Sequence, residues 1–224
     1  MNAGLRVATA VLGKDLRLDL RSRDRLGHMA VFSALVVVLL SISLPAAKRA
    51  AALWIPALMW VVFLFTSLLG LSRSFLAETA GGALSTLAGA PCDRGWVFLG
   101  KAGANFLALL GVELWTAALF AVFLDVDWAP AVWPALGVAL LGAAGLASIG
   151  TLLSALSATA RFREFLLPVL LFPLILPVLV FASQATADAL ATGAVSGLHW
   201  GALGLYAWIF TLAGYFVFDQ ILED

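Results

Sequence analysis

The chain has 224 residues, of which 63% are hydrophobic and only 12% charged, and its mean hydropathy is +1.05. Soluble domains carry about a quarter charged residues, so a water-exposed globule is excluded and the bilayer is the expected solvent. Thirteen basic residues balance thirteen acidic ones, which removes bulk charge as an argument for nucleic acid or an anionic partner.

The first 26 residues are too polar to span. Leu5, Ala8, Leu12 and Leu16 recur at helical spacing, with Lys14, Arg17 and Arg21 off that stripe. The pattern predicts an amphipathic helix on the cytoplasmic membrane surface, with Asp19 and Arg23 placed to pair at i,i+4. It reads equally as a basic leader that sets topology or as an elbow bracing the bundle or a partner. There is no cleavable signal pattern, so the first apolar run is expected to stay as an anchor.

Residues 27–224 are expected to form a six-span permease domain. A spanning helix needs about 20 mostly apolar residues. Six stretches qualify: Gly27–Leu44, Ala51–Leu71, Val97–Leu124, Ala131–Leu156, Phe165–Ser183 and Gly197–Phe218. An even number puts both termini on one side. Eleven Lys and Arg fall on that side, in the leader, after span two and after span four, against Lys48 and Arg49 opposite. The positive-inside rule therefore makes both termini cytoplasmic. Trp128, Trp133 and Trp200 then fall near the outer interface.

Span two is expected to end near Ser72, and span three cannot start before about Gly95, because Cys92-Asp93-Arg94 is too polar. The connector, residues 73–96, is long for a simple turn. Phe75, Leu84 and Leu87 give it apolar anchors, Gly82 allows a bend and Pro91 a stop. Glu78 suits a basic residue on a partner, with Arg73, Arg94 and Lys101 nearby. This is an ordinary hydrated loop or a coupling loop that receives force from a soluble ATPase. Cys92, the single cysteine, offers no intramolecular disulfide. Gly95–Lys101 mimics a phosphate loop. However, Ala102 stands where Ser or Thr must hold magnesium, and the interior is Trp-Val-Phe-Leu. Any ATP must be hydrolysed on another subunit.

Within the spans, Glu113 is the clearest ionisable residue. It is read as a structural polar tie or as part of a cargo or gating path. Ala139, Ala143, Ala147 and Thr151 form a small-residue stripe on span four, read first as packing within the chain. Pro168, Pro173 and Pro177 make span five either kinked or hinged. His199 is a weak candidate for touching haem, whose iron is commonly held by His. No catalytic set, metal cluster or internal repeat stands out in the sequence, so the chain is expected to be a non-catalytic subunit.

The order Trp60…Leu68-Leu69-Gly70-Leu71-x-Arg73-x-Phe75…Glu78-x-x-x-Gly82-x-Leu84-x-x-Leu87…Pro91-x-Asp93-Arg94…Phe98-Leu99-Gly100-Lys101 resembles the CcmB family, the haem exporter permeases of cytochrome c maturation. Lys14–Arg23 resembles that family's N-terminal segment, and Leu166–Leu179 its Pro-rich fifth span. The resemblance implies an all-α membrane protein of the type-2 ABC exporter kind, in the bacterial inner membrane. It implies a homodimer on two copies of an ABC ATPase, with ATP bound there and no cofactor on this chain alone. A haem-handling membrane protein and a small single-span subunit would complete a complex that loads or releases a periplasmic haem chaperone. Glu78, Gly82 and Pro91 would touch the ATPase. Ala77 and Gly81 depart from acidic residues common in the family, which would weaken that contact's electrostatics. The alternatives are a type-2 exporter for lipid, glycan or drug, and an ion-coupled carrier or channel needing no ATPase.

Overall fold

The computed structural model describes residues 3–22, 24–44, 54–80, 93–159 and 163–221. Helices take almost all of them: α1 (Ala3–Ser22), α2 (Asp24–Ser43), α3 (Ile55–Ala80), α4 (Gly95–Leu124), α5 (Val132–Thr159), α6 (Arg163–Thr192) and α7 (Gly197–Ile221), with one 3-10 turn at Ala129–Ala131. Lipid offers no hydrogen bonds, so each spanning segment must satisfy its own backbone, and a helix does so. Among the described residues, six helices, α2 to α7, are long and apolar enough to cross a membrane. The six spans agree with those expected from hydropathy.

Helix ends follow local chemistry. α4 stops at Asp125, which adopts a left-handed conformation (φ 56°) and sends its N–H back to the Phe120 carbonyl. The Asp127 carboxylate then accepts the Ala129 N–H at 2.9 Å and seeds the short turn into α5. At the other end of α4, the Asp93 carboxylate accepts the Gly95 N–H at 2.9 Å and the Tyr215 hydroxyl at 2.6 Å, which ties the start of span three to span six.

α5 is the hub. It packs against α3, α4, α6 and α7, and is the most buried span, whereas α2 and α7 are the least. Its small stripe is buried throughout: Ala139, Ala143, Ala147 and Thr151 face neighbouring helices of the same chain. Gly142 extends the recess. A Cβ there would stand 2.3 Å from the Trp60 ring, so only glycine admits that indole. Trp60 crosses further to donate its Nε1–H to Thr186 on α6 at 3.0 Å.

The second span ends at Ser72, as expected, and its helix α3 continues through Arg73, Phe75 and Glu78 to Ala80, so the first third of the expected connector is helical. α1 packs against the bundle. It runs lengthwise along the start of α4, with Gly4 against Trp96, Ala8 against Gly100 and Leu12 against Gly103. The buried face of α1 is carried by Ala8 and Val11, while Leu5 of the expected stripe is 43% exposed. The 30 residues of α4 extend about 45 Å at 1.5 Å per residue. That exceeds the roughly 30 Å hydrocarbon core, and the excess accompanies α1.

Candidate functional site

Three groups of polar side chains stand out, at the end of the bundle that holds α1, in its middle and at the opposite end. At the first of these, α1 meets α4 through charges. Lys101, which the sequence places beside the connector, is 2% exposed, and its ammonium lies 3.2 Å from the Asp15 carboxylate. One turn further along α1, Asp19 accepts from Arg25 of α2 at 3.0 Å; its expected partner Arg23 lies outside the described residues. The Arg25 guanidinium also donates to the Asn105 amide oxygen at 2.8 Å, and the Asn105 amide donates to the Thr151 hydroxyl at 2.8 Å. A continuous polar chain therefore links α1, α2, α4 and α5. Burial pushes the Asp19 carboxyl above the ordinary aspartate range, against the opposing pull of Arg25.

Sequence reasoning missed Asp15, Arg25 and Asn105 as structural partners. The available signal was Lys101 and Asn105 at i,i+4 inside an apolar run, facing a leader that carries Asp15 and Asp19.

Of the expected coupling residues, Arg73, Phe75 and Glu78 fall on the last two turns of α3. Gly82, Leu84, Leu87 and Pro91 lie outside the described residues, as does Cys92. Arg94 immediately precedes α4 and is half-buried. The backbone thus brings the helical tail of α3 and the head of α4 to the two ends of a 12-residue stretch, residues 81–92.

In the middle, Glu113 of α4 is 2% exposed. Neither of its carboxylate oxygens has a hydrogen-bond partner among the described residues. It borders a cavity of about 190 Å³ between α3, α4, α5 and α6. The polar tie expected at this position is therefore not made by any described group.

At the opposite end, the His199 Nδ1 sits 3.1 Å from the Asp188 carboxylate and 3.0 Å from the Ser196 hydroxyl, beside the Phe181 ring. Any contact with haem iron would have to run through Nε2. On α6, the helix continues through Pro168, Pro173 and Pro177 without a break. Pro173 and Pro177 lack the N–H that a helical carbonyl needs, and close by the Tyr206 hydroxyl donates to the Leu174 carbonyl at 2.5 Å.

The family model described as "CcmB protein" matches residues 6–216. "Heme exporter protein B" of Rhodobacter capsulatus is 32% identical over 176 residues, 78% of this chain and 80% of that protein. The protein of the same name in Bradyrhizobium diazoefficiens is 30% identical over 181 residues, 79% of this chain and 81% of that protein. Its counterpart in Paracoccus denitrificans is 29% identical over 177 residues, covering 79% and 80% respectively.

Proposed function

Because the chain belongs to the CcmB protein family, we propose that it is the membrane subunit of a haem-export complex serving cytochrome c biogenesis, driven by ATP hydrolysed on a separate subunit. The observation that carries this reading is the family match, which runs through all six spans. The relatives' name, heme exporter protein B, supplies haem as the exported group.

The proposed arrangement places the chain in the bacterial inner membrane with both termini cytoplasmic. The concentration of Lys and Arg on one side supports it. Two copies would sit on two ATPase subunits, beside a haem-handling membrane protein and a small single-span subunit, and act on a periplasmic haem chaperone. Residues 73–96 would form the coupling segment, with Arg73, Phe75, Glu78, Gly82, Leu84, Leu87, Pro91 and Arg94 as its contacts. Lys101 would anchor it from behind: the Asp15–Lys101 pair fixes α1 to the head of α4, so a push on the connector moves two helices together. Pro168, Pro173 and Pro177 would let α6 bend as the spans move. His199 would meet haem only in passing at the outer face.

Affinity purification of the tagged protein in mild detergent tests the reading. An ATPase and a haem-binding membrane protein should co-purify. Glu78→Lys and Gly82→Val should reduce ATPase recovery by at least tenfold and lower c-type cytochromes while the protein still inserts. Normal ATPase recovery and cytochrome levels in both variants would sink the coupling assignment.

A further inference from the structure

The walls of the Glu113 cavity are apolar or already committed. Trp60 Nε1–H donates to the Thr186 hydroxyl at 3.0 Å, and that hydroxyl donates onward to the Ala182 carbonyl at 2.8 Å. Trp128 Nε1–H donates to the Ala117 carbonyl at 3.1 Å. The rest of the lining, from Met59 and Leu114 to Val132, Ala135, Leu136 and Ala139, is apolar. Among the described residues, the two carboxylate oxygens of Glu113 are therefore the main unspent hydrogen-bonding capacity at this site, beside one remaining lone pair on the Thr186 hydroxyl, and both carboxylate oxygens are acceptors when ionised.

That chemistry selects an occupant. A buried carboxylate without a counter-charge is costly, and the cost is relieved either by taking up a proton or by an occupant that brings positive charge and N–H donors. A hard divalent cation needs about six oxygen ligands, and one carboxylate in an apolar wall does not supply them. An ordered water can bond the carboxylate but leaves most of this apolar space unfilled. The volume, about 190 Å³, exceeds the roughly 150 Å³ apolar cavity that admits benzene, and is far too small for a porphyrin. The indoles of Trp60 and Trp128 suit a cation carried on an apolar body.

We propose that this cavity binds a small lipophilic monocation: a primary ammonium held by Glu113, on an apolar body of about benzyl size packed among Met59, Trp60, Trp128 and Leu136. The site stands independently of the haem-export reading.

Calorimetric titration of the full chain in detergent micelles tests it, with blank micelles subtracted. The probes are benzylamine and benzyl alcohol, equal in shape and different in charge. The wild-type protein should bind benzylamine at least tenfold more tightly. Glu113→Gln should bring the two within about twofold while keeping benzyl alcohol binding. Ala135→Phe, which fills the cavity, should abolish binding of both. Equal affinities in the wild-type protein, or a preference that survives Glu113→Gln, would overturn the proposal. Should Glu113→Gln fail to fold, Ala135→Phe decides alone, because a tenfold preference persisting in the filled cavity would place the amine elsewhere.

Discussion

Lys101 and Lys14 both lie near Asp15, yet the two pairs differ in worth. Lys14 is 44% exposed, and its pairing with Asp15 at 3.0 Å is screened by solvent. Lys101 is almost wholly enclosed, so losing the Asp15 carboxylate removes a counter-charge from a buried ammonium. Asp15→Asn is expected to destabilise the protein by about 3 kcal/mol, the usual scale for breaking a buried pair. Lys14→Ala should cost under about 1 kcal/mol. The double variant Asp15→Leu/Lys101→Met should recover much of the loss, since it removes both charges. Thermal denaturation in detergent measures all three. The sequence carried each of these residues but not their pairing. Periodicity reports neighbours three and four apart, and Asp15 and Lys101 are separated by 86 positions. Glu113 was legible as an unusual acid because hydropathy exposes any charge inside a span. Its cavity was not, because the walls come from four helices.

Helix by helix, hydropathy located every span, while α3 and α6 run on past the expected apolar stretches, to Ala80 and Thr192. Hydropathy measures where lipid would tolerate a residue, whereas helix length follows backbone preference. Phe75, Leu76, Ala77 and Ala80 can continue a helix outside the bilayer, so α3 runs on to Ala80. The seating of α1 escaped the sequence for a related reason: Gly100 and Gly103 read as part of a false phosphate loop, but serve as the groove for a second helix. At Gly100 a Cβ would come 2.6 Å from the Ala8 carbonyl oxygen, a backbone atom that cannot swing aside. Gly100→Leu should therefore push α1 off α4, at a cost of about 2–4 kcal/mol typical of core overpacking or worse. Limited proteolysis checks this: cleavage near Arg21 should accelerate at least tenfold, whereas Gly13→Ala, at a position with open space around its Cα, should leave the rate unchanged.

For the molecule as a whole, orientation is the property on which the proposed function depends, and charge bias alone supports it. In a Cys92→Ser background, Ala129→Cys and Ala194→Cys, both exposed at turns between spans, should react with a membrane-impermeant thiol reagent on intact cells. Leu5→Cys should react only after permeabilisation. The reverse pattern would turn the connector away from the cytoplasm and end the ATPase-coupled reading. The α1–α4 contact also constrains assembly in time. The leader leaves the ribosome first, but its seat, from Trp96 to Asn105, is made some eighty residues later. Until then Asp15 must wait, and the third span enters the lipid with Lys101 still lacking its Asp15 counter-charge. α1 thus docks well after it is made, and its docking marks the point at which the third span has arrived.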